Sequence, residues 1–134
     1  MGPNDAELVR VFTANPGDTI ADITFPITAD FQVRVDAEAG SAIFSTGAAF
    51  QTGLVLRDIT ANNDIPFTAA GAVSGSLNSA AWLAKAQTFV YTVATGDLAG
   101  RANHICEARS FLGVGVNNQD SSFVASPPFL LTVA

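Results

Sequence analysis

Charge is scarce in this sequence. Only 13% of its 134 residues are Asp, Glu, Lys or Arg, against about 25% in an ordinary soluble domain. One lysine, Lys85, and five arginines carry the formal positive charge, and the net charge is −6. A run of phosphates would find nothing to neutralise it, so the expectation is no nucleic acid among the partners. An anionic membrane surface is disfavoured for the same reason.

Cysteine is reduced to one residue, Cys106, which excludes an intramolecular disulfide. Residues 1–7 carry neither the basic start nor the apolar stretch of a secretory leader. Together these lean the expected compartment toward the cytoplasm without fixing it. Long apolar runs are missing too. None approaches the roughly 20 residues that a membrane-spanning helix needs, so no membrane insertion is expected.

Histidine, tryptophan and tyrosine each occur once, as His104, Trp82 and Tyr91. A zinc site cannot be assembled from His and Cys alone when each occurs singly. No glycine-rich loop opens a helix, and Gly113-x-Gly115 lies in a strand-like run, which excludes a dinucleotide fingerprint. The expected cofactor list is therefore empty, with no metal site and no catalytic residue assigned.

What the sequence does have is β pattern. Phe31, Val33 and Val35 alternate with Gln32, Arg34 and Asp36, the period of a half-buried strand. Ile23, Phe25 and Ile27 alternate just before it, and Pro26 places that segment on a sheet edge or at a bulge. Ala29-Asp30 suggests a tight connection between the two. Phe50 to Thr60 reads as a strand whose consecutive Leu54, Val55 and Leu56 suggest burial from both sides. Gln87 to Thr95 and Phe129 to Val133 read as strands, and His104 to Val116 as a long one. Clusters of Asn, Asp, Gly and Pro punctuate these runs at residues 15–18, 39–41, 61–64, 95–97 and 117–120.

Ser76 to Lys85 holds helix formers and cap candidates, and is read as a short helical turn or a loop. The expected fold is all-β: a two-sheet antiparallel β-sandwich of immunoglobulin-like or jelly-roll type, with at most one short helix near residues 76–86. Residues 1–134 form one domain in this reading, with residues 1–6 flexible.

Four sites carry candidate chemistry. On one strand, His104 and Cys106 would share a face and offer a thiol–imidazole pair or the start of a metal site, a remote enzyme reading that lacks a third partner. Asp58 with Asn62-Asn63-Asp64, and Asn117-Asn118-Gln119-Asp120, have the oxygens for calcium but not its loop spacing; ordinary turn chemistry explains them. Trp82 and Tyr91 are the only candidates for stacking on a small ligand or a carbohydrate, with a core position the rival reading for Trp82. The leading expectation is a non-catalytic structural or interaction module, a homo-oligomer or a partner of another protein. It rests on an apolar share of 49% joined to so few charges.

Overall fold

In a computed structural model, which describes residues 5–67, 72–115 and 120–133, the alternation at residue 31 becomes a nine-residue strand, β3 (Phe31–Ala39). Phe31, Val33, Val35, Ala37 and Ala39 are buried, while Gln32, Arg34 and Asp36 are half-buried on the opposite face. Antiparallel strands flank it on both sides: β1 (Ala6–Ala14) and β7 (Ala86–Val93). Their order β1-β3-β7 makes the smaller sheet.

The larger sheet is built around β4 (Ala49–Asp58) and β8 (Ile105–Val114), paired from Phe50↔Val114 to Asp58↔Cys106. Beyond β4 lie β5 (Asn63–Ile65) and β6 (Ala72–Ser76); beyond β8 lie β9 (Asp120–Ala125) and β10 (Phe129–Thr132). A last short strand, β2 (Thr24–Pro26), runs parallel to β10. It has β10 as its one strand partner among the described residues, as the missing N–H of Pro26 requires of a sheet edge. The chain from β2 to β3 crosses from one sheet to the other, so Ala29-Asp30 is a corner and not a hairpin turn.

The two sheets enclose an aromatic core at each end. Phe25, Phe31 and Phe129 stack and tilt on one another at centroid distances of 4.7, 6.1 and 5.3 Å. Phe50, Trp82 and Phe89 form the second cluster at 5.1, 6.0 and 5.7 Å. Such tilted and edge-on contacts add to the area each ring buries. Buried hydroxyls are absorbed by backbone: Thr52 Oγ1 donates to the Phe111 carbonyl at 2.7 Å, and Ser110 Oγ to that of Gly53 at 2.8 Å.

Residues 76–86 take the loop alternative and form no helix, as the fold expectation allowed. Ser79 Oγ donates to the Ser76 carbonyl at 2.6 Å, Ser79 and Trp82 exchange backbone hydrogen bonds, and Asn78 has φ 55°. The Ser and Asn that resembled caps close a tight turn instead. Other boundaries differ from expectation: among the described residues the one α-helical turn is α1 (Ser41–Ser45), and Thr95–Leu98 is a 3-10 turn. Ala6, the last residue of the segment expected to be flexible, opens β1 and is buried. Residues 1–4 and 117–119 lie outside the described residues. Val55 also departs: Leu54 and Leu56 enter the core, but Val55 is 43% exposed, so β4 is covered on one face only.

Candidate functional site

β4 sends Phe50, Thr52, Leu54 and Leu56 inward, and the same parity carries Asp58 into the protein with no exposed surface. A carboxylate there needs partners, and it has three. Its Oδ1 accepts from the Ala61 amide at 2.9 Å. Its Oδ2 accepts from Arg101 Nη1 and lies on His104 Nδ1, each at 2.7 Å. An ionised carboxylate only accepts, so Nδ1 carries the ring proton. Arg101 Nη1 also donates to Asn63 Oδ1 at 2.7 Å. Burial raises the Asp58 pKa, but the Ala61 amide, His104 and Arg101 outweigh it and hold the group below its ordinary value.

The histidine–cysteine pair is resolved by this cluster. His104 sits in the turn before β8 and not on the strand, following Asn103 at φ 65°. Cys106 is fully buried opposite Asp58. Burial and the Asp58 charge push its thiol up to about 12, against the pull of Arg101. A thiol so held is neutral at physiological pH and unfit as a nucleophile. Asp58 does orient His104 as a triad carboxylate would, yet no described hydroxyl or thiol is hydrogen-bonded to the ring.

The calcium reading fails at residues 58–64 for a related reason. Arg101 occupies Asp58 and Asn63, while Arg57 bridges Asp64 Oδ1 at 3.1 Å and Asn62 Oδ1 at 2.5 Å. Guanidinium groups already stand where a cation would, and the described residues hold no cluster of metal-binding side chains. Residues 117–119 of the second candidate loop lie outside the described residues.

Trp82 and Tyr91 do not offer rings to a ligand. Trp82 is fully buried between Phe50 and Phe89, with Nε1 donating to the Lys85 carbonyl at 3.4 Å. It is a core plug. Tyr91 is buried on the inward face of β7. Its hydroxyl is shut from solvent without a hydrogen bond of good geometry among the described residues, and burial raises its pKa while the nearby Thr52 hydroxyl pulls back. The stacking expectation is therefore corrected: strand parity turns Tyr91 inward, and the turn before β7 carries Trp82 into the core.

The feature left facing solvent is the outer face of the larger sheet. Register aligns Ala72, Gly53, Phe111 and Phe123 in one row across β6, β4, β8 and β9. The adjacent row is Val55, Arg109 and Ala125. Phe123 is 78% exposed, and Ile105, Leu130 and Val55 are exposed on the same sheet. Arg109, tied to Glu107 at 2.6 Å, borders a groove of about 290 Å³ that runs to Phe123 and Ala125. Small residues beside two phenylalanines leave an apolar row bordered by the Arg109–Glu107 pair, the kind of patch that marks an interaction site. Sequence reasoning missed it because consecutive Leu54, Val55 and Leu56 suggested that both faces of this strand were buried.

No protein-family model and no curated protein sequence matches this chain. Its likeness is to solved structures. AggA from Escherichia coli, the major subunit of aggregative adherence fimbriae type I, superposes with a TM-score of 0.54 at 10% identity, over 96% of this chain and 97% of that one. The "putative beta-galactosidase" of Bacteroides fragilis superposes with a TM-score of 0.58 at 12% identity, over 93% of this chain. The chain spans only 17% of that protein's length. At such identities the likeness shows the fold alone: an all-β sandwich of immunoglobulin-like type.

Proposed function

We propose that this chain is a non-catalytic structural or interaction module that associates with other copies of itself as part of a larger assembly. The observation that carries the reading is the outer face of the larger sheet, where Phe123 stands 78% exposed beside Phe111 with no charge in their row. Water against that face is displaced at a gain of about 25 cal/mol per Å² of apolar surface covered. Scarce charge across the whole chain supports the same reading, and so does the likeness to AggA, itself a subunit of an assembly. The buried thiol of Cys106 and the buried rings of Trp82 and Tyr91 weigh against a thiol–imidazole pair and against stacking on a sugar, and so support this reading.

Sedimentation equilibrium from about 10 to 300 µM, the range of weak protein contacts, tests it. The wild-type chain is expected to exceed the monomer mass. Phe123→Ser is expected to weaken association at least about tenfold, since a buried phenylalanine contributes more than that factor. A wild-type chain that remains a monomer throughout the range defeats the reading.

A further inference from the structure

Exposed sheet edges are templates for pairing with another chain, and proteins blunt them with bulges, proline, charge or short length. Most edges here are blunted. In β1 the register shifts between Leu8 and Arg10, and the Leu8 amide donates to Ser122 Oγ of β9 at 3.1 Å, which ties these two edges together. β2 is three residues long and contains Pro26. β5 is three residues long, and β6 has Gly75 in its interior.

β7 has none of these devices. Its eight residues, Ala86-Gln87-Thr88-Phe89-Val90-Tyr91-Thr92-Val93, contain no charge, proline or glycine. They pair with β3 without a bulge from Phe31↔Val93 to Glu38↔Ala86. Among the described residues β3 is the one strand partner of β7. The Gln87 side chain covers the start of the free edge through a long contact, 3.4 Å, to the Thr88 carbonyl.

We propose that two copies of this chain pair edge to edge through β7, antiparallel about a two-fold axis at Val90. The result is a continuous six-stranded sheet, in the order β1-β3-β7 followed by the same strands of the second copy reversed. This rests on reading the chain as self-associating, and it names a contact distinct from the Phe123 face.

The sequence of β7 fits its own copy. With Val90 opposite Val90 of the second copy, Thr88 meets Thr92 on the solvent side and Phe89 meets Tyr91 on the core side. Thr–Thr and aromatic pairs are favourable cross-strand neighbours, and a two-fold contact requires a patch to complement itself. The ends match in charge as well. The chain's only lysine, exposed Lys85, precedes β7, while exposed Asp30 binds the Thr95 amide just beyond its other end, at 3.0 Å. The two-fold register places Lys85 of each copy beside Thr95 of the other, near Asp30.

The test uses the Phe123→Ser chain, in which the outer face is disabled, and reads mass by sedimentation. That chain is expected to retain a monomer–dimer equilibrium. Adding Val90→Lys sets two ammonium groups against each other across the axis, and dimerisation is expected to weaken at least about tenfold. Adding Val90→Glu is expected to do the same. Mixing the Lys and Glu chains is expected to restore a dimer at least about tenfold tighter than either alone, because opposite charges now face each other. Val90 is 46% exposed, and unchanged emission from buried Trp82 verifies that each variant is folded.

A Val90→Lys chain that dimerises as strongly as its parent overturns the edge pairing, as does a mixture no tighter than its components. If wild type assembles but Phe123→Ser is monomeric at every concentration, the edge pairing falls and the outer-face reading stands. If wild type is itself monomeric, both fall.

Discussion

Asp58 is a charge without solvent, and its worth lies in the three groups that satisfy it. Because its pKa in the fold is held below the ordinary carboxylate value, the ionised form is bound more tightly by the folded chain than by the unfolded one. The resulting stability is complete above the unfolded value of about 3.9 and is lost as pH falls through the lower folded value. Asp58→Asn removes the charge that Arg101 and His104 share. It is expected to cost about 3 kcal/mol, the low end for breaking a buried pair, since Arg101 and His104 keep 16% and 24% exposure and are partly hydrated. Urea unfolding at pH 7 measures that loss. The same titration carried below pH 4 is expected to show a shallower acid dependence in the variant than in the wild type.

The turn between β6 and β7 is set by close approach. A Cβ built on Gly75 would stand 2.8 Å from the Ala81 Cβ and 3.5 Å from the Phe50 ring. Neither neighbour is the free end of a flexible side chain. Ala81 belongs to the turn that carries Trp82 into the core, and Phe50 packs on Trp82 at 5.1 Å. Gly75→Ala is therefore expected to push this turn outward and destabilise the fold by about 1–3 kcal/mol, the range for overpacking. Thermal unfolding measures the cost, and a red shift of Trp82 emission in the folded variant identifies the displaced turn as its source.

Over the whole molecule, the two proposed contacts are low in charge. The β7 strand has none, and the row from Ala72 to Phe123 has none. Association through such surfaces is driven mainly by apolar burial and backbone pairing, and the exposed Lys85–Asp30 approach at the ends of β7 adds little, so screening has little to weaken. Raising salt from about 50 to 500 mM, which shortens the screening length several-fold, is expected to leave the association constant within about threefold or to strengthen it. Light scattering across that series checks the expectation, and a loss of association with salt would point to ion pairs as its source.

The period-2 alternation at Phe31–Asp36 made β3 legible from the sequence, since only one face of a half-buried strand meets the core. Pro26 made the β2 edge legible, since it lacks the donor that a second neighbour would need. The polar cluster was half legible. Asp58 stands on the same parity as Leu54 and Leu56, and an acid on a core-facing parity announces a buried pair. Its partners Arg101 and His104 lie more than forty residues further along the chain, and no local pattern joins them. The turn at 76–86 was legible only as a helical turn or a loop, because Ser and Asn serve helix caps and tight turns with the same hydrogen bonds. Which faces are covered was decided by tertiary structure alone. Periodicity sorts the residues of one strand into two faces, but only the packing of the second sheet determines that Trp82 and Tyr91 are enclosed while Val55, Phe123 and the edge of β7 are left open.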